Sequence, residues 1–450
     1  MQVFPRMCKR LSFVIILSVL LIGLRANVLC AKSKAPLINE GSLIDAFNLK
    51  KNRKGYYRIN KDYDLRGNVY TVPQGVTLVF TKKGLIYNGR ICLQDSTTII
   101  DGRFINDGAM TYTRRIVGGN TVDYSICVSV IDSKCVKLEG CSFESRSTVN
   151  NQCNYGLFVY GKDTGGSSNI EIDNCVFDGC CMGFFSNTKD CILSNTSIVS
   201  ASQLFSIETL YDADQKHYIV PRNIVVDCCS FVCPDSDPAL APVWCSGYRD
   251  ISFKNCYFET DCTMLFLYCG DLNMGAENAQ IEHCSFVIKG TSPLKKDVSC
   301  LTCMGRSYPF MKEEQSFGSV GIDSCIFSFV DIEDVKDQIA SCRGISSRYF
   351  NQINVCNTVF DGFIEAICLS DSFKGNHIPT TKAKIINNQF TGHDILPVST
   401  TIIDLKGQKL AEIDSLTIIG NSFHAPLLKW NISKELGTCS NCVLSGNMEF

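Results

Sequence analysis

The sequence has little net charge, few histidines and no long helical pattern. Its 450 residues carry 43 Lys and Arg against 45 Asp and Glu, a net charge of −2, and no basic block stands out. A nucleic-acid partner is not expected, because such proteins concentrate positive charge on one face. No apolar pattern of about 10–15 residues with helical period separates the strand-like segments, which argues against an alternating βα fold.

What the chain does have is one eight-residue phrase that recurs about every thirty residues. Ten of its twelve copies end in Phe. A fixed period of this size is typical of solenoids. The copies are VKLEGCSF (136–143), IEIDNCVF (170–177), IVVDCCSF (224–231), ISFKNCYF (251–258), AQIEHCSF (279–286), VGIDSCIF (320–327), INVCNTVF (353–360), AKIINNQF (383–390) and LTIIGNSF (416–423), with weaker copies TTIIDGRF (97–104), CILSNTSI (191–198) and CVLSGNME (442–449).

Each position of the phrase predicts a local structure. Apolar residues at the first and third positions, with polar ones between, indicate a strand with one buried face. Gly or Asn at the fifth position in eight of twelve copies predicts a left-handed bend. The sixth position should point inward, with Phe as a core anchor two residues later. It holds Cys141, Cys175, Cys229, Cys256, Cys284 and Cys325, and then Thr358, Asn388, Asn421 and Asn447.

Like phrases must then stack as parallel strands about 4.8 Å apart. A second strand follows most of the anchors, for example YGLFVYG (155–161) and TMLFLYCG (263–270). The arrangement resembles the right-handed parallel β-helix of the pectate-lyase-like superfamily, which has a ladder of stacked Asn at such a bend. The resemblance covers roughly residues 60–450. It implies an all-β, right-handed parallel β-helix solenoid of about 12 coils with a small N-terminal helical cap.

The N-terminal residues predict export. Arg6, Lys9 and Arg10 precede the apolar run 11–24, which suits a secretory signal better than a spanning helix. We expect a signal peptide over 1–30, a cap over 31–60 and the β-helix over 61–450. Ser42 and Asp45 have capping-box form and open the short helical stretch of the cap. The expected location is secreted, periplasmic or outer-membrane associated, with a lipid anchor on Cys30 as the alternative, although NVLC departs from the usual lipobox.

The 27 cysteines allow two interpretations. In an exported chain they would usually indicate a disulfide scaffold. We favour buried free thiols instead, because Cys side chains stacked on parallel strands point the same way and lack the converging geometry of a bridge. The pairs Cys300/Cys303 and Cys439/Cys442 have zinc-like spacing but lie many coils apart. No metal site or cofactor is therefore expected, and calcium is kept only as a candidate cation.

The resemblance carries over no catalytic residue, because the polygalacturonase and pectate-lyase motifs are missing. One insertion nevertheless gathers acid, base and cation groups. These candidate catalytic residues are Glu208, Asp212, Asp214, Lys216, His217 and Arg222. The alternative is an ordinary solvated loop.

Two further patterns are candidates for binding. Outward carboxylates at the fourth position, from Glu139 to Asp323, suggest either a cation site or a hydrated surface. Aromatic residues of the second strands suggest sugar stacking, and Tyr160, Tyr248 and Tyr268 are the candidate ligand contacts. Core packing is the alternative for about half of these rings, because side chains alternate along a strand.

Two functions follow. The first is a β-helix that binds an extended glycan, either a polysaccharide or a cell-surface glycan, without catalysis. The alternative is a polysaccharide lyase or glycoside hydrolase with a non-standard active site. We expect no transmembrane segment in the mature chain, and the C-terminal end, which shows no evident cap, is a candidate surface for oligomerisation.

Overall fold

The structure is a computed structural model of the whole chain, in which almost every regular element is a β-strand. It describes residues 39–449 apart from 107–110, 116–120, 147–151, 162–164, 202, 210–218, 235–240, 269–275, 291–297, 306–317, 332–341, 349, 364, 370–381, 392–402, 405–414 and 425–441. The architecture is a right-handed parallel β-helix solenoid, as the repeat predicts.

The first strand of each phrase belongs to a 14-stranded parallel sheet. The last twelve strands of this sheet lie in the twelve copies of the phrase, and two further strands precede them. The sequence predicted about 12 coils. The strands are β2 (Tyr57–Ile59), β4 (Thr77–Phe80), β6 (Thr98–Ile100), β10 (Lys137–Glu139), β13 (Ser167–Asp173), β16 (Thr188–Ser194), β19 (Arg222–Asp227), β22 (Tyr248–Lys254), β25 (Ala276–Glu282), β28 (Ser319–Asp323), β31 (Gln352–Cys356), β34 (Lys382–Ile386), β37 (Ser415–Ile419) and β39 (Cys442–Ser445).

The end of each phrase forms a second stack of parallel strands, here called the Phe column. Residues of equal phrase position pair with one another, for example Phe143 with Phe177. The strands of the Phe column are β7 (Arg103–Asn106), β11 (Ser142–Ser145), β14 (Val176–Asp178), β17 (Ser197–Val199), β20 (Ser230–Cys233), β23 (Tyr257–Thr260), β26 (Ser285–Lys289), β29 (Ile326–Val330), β32 (Val359–Asp361), β35 (Gln389–Thr391), β38 (Ser422–His424) and β40 (Met448–Glu449).

The predicted second strands form a third stack, here called the second column. It consists of β9 (Thr121–Ile131), β12 (Gln152–Gly161), β15 (Cys181–Ser186), β18 (Phe205–Glu208), β21 (Val243–Ser246), β24 (Leu265–Tyr268), β27 (Val298–Met304), β30 (Cys342–Arg348), β33 (Glu365–Leu369) and β36 (Ile403–Asp404). Long strands at the N-terminal end join it to the Phe column, because β5 (Leu85–Leu93) pairs with both β7 and β9. The other strands here are β1 (Asn39–Ser42), β3 (Asp62–Val72) and β8 (Thr111–Arg115).

The helical stretch predicted in the cap is a single turn, α1 (Leu43–Ala46). Ser42 caps it, since its hydroxyl accepts from the Ile44 and Asp45 amides at 3.2 and 3.5 Å. Strands on both sides of α1 already belong to the solenoid, because β1 pairs with β3 and β2 pairs with β4. The domain boundary at residue 60 remains a prediction.

The bend at the fifth position is left-handed in all twelve copies, with φ between 49° and 67°. Asp101, Cys228, His283 and Ser324 adopt it as well as Gly and Asn, so His283 has the turn role that its position predicts. The eight Gly and Asn copies indicate the bend directly, because these two residues tolerate positive φ best, and the alignment of the repeat extends the prediction to the other four copies.

The inner anchors stack as predicted. Phe258 is fully buried and its ring lies parallel to those of Phe231 and Phe286, at centroid distances of 5.0 and 4.4 Å. The stack continues from Phe286 through Phe327 and Phe360 at 4.7 and 5.0 Å. These rings supply a continuous core from coil to coil.

Residues at the sixth position bond to the carbonyl of an earlier coil. The Cys284 and Cys325 thiols donate to the carbonyls of Phe253 and Ile281 at 3.5 and 3.4 Å. Further along, the Asn421 amide makes the equivalent bond to Ile385 at 2.9 Å. The six Cys of this position are at most 2% exposed, and none of the cysteines that the structure describes forms a disulfide. Cys284, Cys325 and Asn421 thus make the same kind of bond from the sixth position of the phrase.

Candidate functional site

The candidate catalytic residues that the structure describes lie on different sheets. Glu208 is the last residue of β18 in the second column and is partly exposed. Arg222 is the first residue of β19 in the 14-stranded sheet, where its strand partners are Lys189 and Arg249. Asp212, Asp214, Lys216 and His217 lie outside the described residues. Their predicted convergence with Glu208 stays a prediction.

The three candidate tyrosines differ sharply in exposure. Tyr248 is fully buried in the main core, so it cannot contact a ligand on the outer surface. This corrects the expectation that Tyr248 contacts a ligand. The physical reason is that Tyr248 begins a strand of the 14-stranded sheet and does not lie on an aromatic second strand. Tyr268 is 3% exposed, whereas Tyr160 is partly exposed.

Strand register places Tyr160, Glu208 and Tyr268 on one outer row of the second column. Tyr160 pairs with Phe185, and Phe185 pairs with Glu208. The row continues from Glu208 through Ser246 to Tyr268. The residues before them in each strand point into the core. Two of the predicted contacts and one predicted catalytic residue therefore share a face.

An aromatic cluster underlies the N-terminal part of this row. It contains Ile126, Tyr155, Phe158, Tyr160, Cys181 and Phe185 and is here called the β12 cluster. Phe158 stacks on Phe185 with centroids 4.6 Å apart and ring planes 23° apart. Tyr155 meets both rings edge-on at 5.6 Å. Phe158 and Tyr160 are the partly exposed members, whereas Phe185 is 1% exposed.

Gly183 creates the space in which the Phe185 ring lies. A Cβ at residue 183 would come within 2.5 Å of Phe185 Cζ and 3.0 Å of the Ser206 carbonyl oxygen. Phe185 therefore folds back over its own strand, next to Phe158. A larger residue at 183 would displace the ring and disturb the stack.

Gln203 connects the β12 cluster to the strand that carries Glu208. Its amide nitrogen donates to the Ser206 hydroxyl, and its amide oxygen accepts from the Tyr155 hydroxyl at 3.5 Å. The backbone after Glu208 is fixed as well, because the Thr209 amide and hydroxyl donate to the Ser246 and Gly247 carbonyls at 2.9 and 2.6 Å. Gln203 was not predicted from the sequence, since it precedes a strand and belongs to no motif.

A second aromatic cluster lies further along the same face. It contains Ala241, Trp244, Phe266, Tyr268 and Met304 and is here called the β21 cluster. Trp244 and Phe266 stack at 4.6 Å with ring planes 8° apart. Each of these two rings is only 7% exposed. The β21 cluster is thus closed, and it offers little ring surface to a ligand.

Four partly exposed residues of this face, Phe158, Tyr160, Gln203 and Glu208, are here called the outer strip. Tyr160 and Glu208 lie two strand spacings apart, about 10 Å. Partly exposed rings can stack on an apolar sugar face. The Glu208 carboxylate and the Gln203 amide can bond hydroxyl groups. The strip combines the two kinds of contact that carbohydrate recognition needs.

The outward carboxylates of the 14-stranded sheet have a structural role. The Asp173, Asp227 and Asp323 carboxylates each accept from the side-chain amide of a bend Asn one coil further on, at 2.7 to 2.8 Å. The bonds from Asn195 and Ser194 also lower the pKa of Asp173. Register further places Ser194 and Lys254 between members of the column. Like charges are therefore partly separated.

Neither a group of metal ligands nor a membrane-spanning helix is present in the described part of the chain. No three His, Cys, Asp or Glu side chains there are grouped closely enough to hold a metal ion. None of the helices in this part has the length and apolar character needed to cross a membrane.

Comparison with solved structures gives distant similarity in fold. The catalytic domain of GH87 α-1,3-glucanase in complex with nigerose is 11% identical with a TM-score of 0.42, and the match covers 87% of this chain and 63% of that chain. The Azotobacter vinelandii mannuronan C-5 epimerase AlgE6 A-module is 11% identical with a TM-score of 0.40, over 88% and 89% of the two chains. The Streptococcus pneumoniae surface protein and adhesin PfbA is 11% identical with a TM-score of 0.39, over 87% and 89%.

The first of these matches spans less than two thirds of its partner's length. No family model matches the chain, and no curated protein matches it. At this level of identity the similarity concerns the fold alone. The chain is similar to these parallel β-helix proteins in architecture. The activities named for those proteins are not assigned to this chain by the similarity.

Proposed function

We propose that the protein binds an extended polysaccharide on the outer strip, as an exported or surface protein. The observation that supports this most directly is the shared outer row of Tyr160 and Glu208. A stacking ring and a hydroxyl-binding carboxylate lie there about 10 Å apart on a rigid sheet. Contacts on a solenoid are held at fixed spacing, so little ordering is needed when an extended ligand binds.

The β12 cluster supports this surface from below. Phe185 is buried and holds Phe158 by stacking, while Tyr155 fixes Gln203 by a hydrogen bond. Side chains that are already held in place lose little entropy when a ligand binds. The strip is therefore a preformed surface rather than a set of independent solvated side chains.

Glu208 also supports the alternative, an enzyme that cleaves the bound glycan. A glycoside hydrolase needs two carboxylates that flank the scissile bond, whereas a lyase needs a base and a neutralising cation. Among the described residues of the outer strip, Glu208 is the only acidic residue. Asp212, Asp214, Lys216 and His217 follow it in sequence and would supply the other groups. Binding without turnover is therefore the function that the described residues support best.

A polysaccharide array separates these functions. We expect the wild-type protein to bind at least one extended glycan and Phe158→Ala to bind it about tenfold more weakly. Tyr257→Ala is the matched control, because Tyr257 is 37% exposed on the Phe column, away from the strip. Failure of the wild type to bind any glycan would refute the proposal.

Turnover is tested on the glycan that binds. Assays for reducing ends and for unsaturated uronate absorbance report hydrolysis and lyase chemistry. We expect no product. Product formation that Glu208→Gln abolishes would replace the binding function with the enzymatic one and locate its site.

A further inference from the structure

A buried arginine without a partner lies on the same side of the molecule as the outer strip. Arg90 is on β5 and only 4% exposed. Within the described residues its Nε and Nη2 atoms are closed off from solvent and make no hydrogen bond. No ion pair involves Arg90 either in this part of the chain.

Strand alternation determines the direction of this side chain. Ile91 and Leu93 point into the core, whereas Cys92 lies on the outer side and its thiol accepts from the Ser129 hydroxyl at 3.1 Å. Arg90 therefore shares the outer side with Cys92. Because β5 pairs with β9 and β9 pairs with β12, Arg90 lies two strand spacings, about 10 Å, from the strand that carries Phe158 and Tyr160.

A guanidinium group in this position requires an acceptor. Arginine cannot escape burial by losing its proton, as a buried lysine can. The Asp64 carboxylate on neighbouring β3 does not pair with Arg90, and its Oδ1 accepts from the Asn88 side chain and the Arg66 amide at 2.7 and 2.8 Å. An unpaired buried charge is strongly unfavourable. The arrangement is explained if a group from outside the described residues completes it.

We propose that Arg90 anchors an anion-binding site, and that the anion is the carboxylate of an acidic sugar or a small free oxyanion. Nε and Nη2 form one edge of the guanidinium group, and such an edge can bind two oxygens of a carboxylate or sulfate in parallel. Both atoms are closed off from solvent in this structure, so the anion reaches them only when the side chains that cover them move aside. Phe158 and Tyr160 would contact the sugar ring next to it. If the anion is the carboxylate of a sugar, this inference rests on the proposed function and specifies an acidic polysaccharide as the ligand class.

The Glu208 carboxylate is too far from Arg90 to prevent an anion from binding there. Its strand is four strand spacings from β5, about 19 Å, through β9, β12 and β15. Unit charges on the surface at this distance are largely screened at physiological salt. One acidic group held at Arg90 is therefore compatible with hydroxyl contacts at Glu208.

The first experiment measures thermal unfolding in sodium chloride, sodium sulfate and sodium galacturonate at equal ionic strength. We expect sulfate or galacturonate to raise the Tm of the wild type more than that of Arg90→Gln, with an apparent affinity about tenfold or more higher. Arg58→Gln, which removes an exposed Arg on β2, should respond like the wild type. Equal responses of the wild type and Arg90→Gln would overturn the proposal.

Stability in chloride alone gives a second criterion. Arg90→Met should be at least as stable as the wild type there, because it removes a buried charge that has no partner. If Arg90→Met and Arg90→Gln both unfold at clearly lower temperature and no anion shifts any variant, an acid of this chain pairs with Arg90. The proposal would then be wrong.

Polymer binding distinguishes the two sources of the anion. With an acidic polysaccharide and its carboxyl-reduced derivative, we expect the wild type to bind the acidic form at least about tenfold more tightly and Arg90→Gln to lose this preference. A response to sulfate without any preference for the acidic polymer would assign the site to a free oxyanion. If the protein binds a neutral glycan and Arg90→Gln leaves that binding unchanged, the acidic-sugar assignment is wrong but the proposed function stands. Failure to bind any glycan would sink the proposed function itself.

Discussion

The β12 and β21 clusters lie on the same outer face, yet one is partly open and the other is closed. Phe158 and Tyr160 keep part of their surface exposed, whereas Trp244, Phe266 and Tyr268 are each at most 7% exposed. An outward aromatic residue on a solenoid is therefore not by itself a binding platform. Its exposure decides whether it contributes to recognition or to stability.

The local cause of the difference is visible in the strands. Gly183 lets the Phe185 ring lie back under Phe158, which leaves Phe158 on top of the stack. In the β21 cluster, Trp244 and Phe266 lie nearly parallel, Tyr268 contacts both at 5.9 Å, and Ala241 and Met304 pack at the edges. Gly183 thus leaves the β12 cluster partly open, whereas the stacked pair of Trp244 and Phe266 closes the β21 cluster.

The largest expected effect is on the closed cluster. Trp244→Ala should lower the free energy of unfolding by about 3 kcal/mol, because it removes a large buried ring and leaves a cavity. Chemical denaturation measures this loss. Phe158→Ala should cost about 1 kcal/mol or less, because its ring already contacts solvent. A larger loss for Phe158→Ala than for Trp244→Ala would contradict the distinction.

Gly183→Ala should disturb the ring packing of the partly open β12 cluster. The new methyl group would collide with Phe185, at a cost of about 1–3 kcal/mol, and glycan affinity should fall with it. Gly321→Ala is the matched control, because its Cβ would meet only the movable end of Gln280, 2.3 Å from Oε1. Denaturation and glycan titration of both variants test this. Equal results for the two variants would mean that the space at Gly183 has no special role.

The smallest expected effect is at the polar end of the strip. Glu208→Gln keeps the shape of the side chain but removes its charge, so hydroxyl binding should weaken by about threefold. Isothermal titration with the glycan found on the array measures the difference, and unchanged affinity would remove Glu208 from the contact surface.

Much of the fold follows from the sequence because the repeat is read directly from the residue pattern. The fifth, sixth and eighth positions of the phrase predict the bend, the inward column and the Phe stack, and the structure places all three accordingly. Cys284 and Asn421 make the same kind of bond to an earlier coil. The first two strands of the 14-stranded sheet, β2 and β4, lack the phrase, so the repeat alone does not identify them.

The candidate site was only partly predictable. Tyr160 and Glu208 were named, but their alignment on one row depends on strand register across insertions of unequal length. Tyr248 was misplaced because it begins a strand of the 14-stranded sheet and does not belong to an aromatic second strand. Gln203 and Arg90 carry no motif, and their roles depend on burial and on partners in other coils.

The glycan affinity of Tyr160→Ala compared with that of Tyr268→Ala decides whether exposure on the outer row controls glycan binding. Both residues are tyrosines on one outer row, and they differ in exposure. The account predicts that Tyr160→Ala weakens glycan binding about tenfold with little loss of stability. It also predicts that folded Tyr268→Ala binds like the wild type but unfolds more easily. Normal binding by Tyr160→Ala together with impaired binding by folded Tyr268→Ala would contradict it.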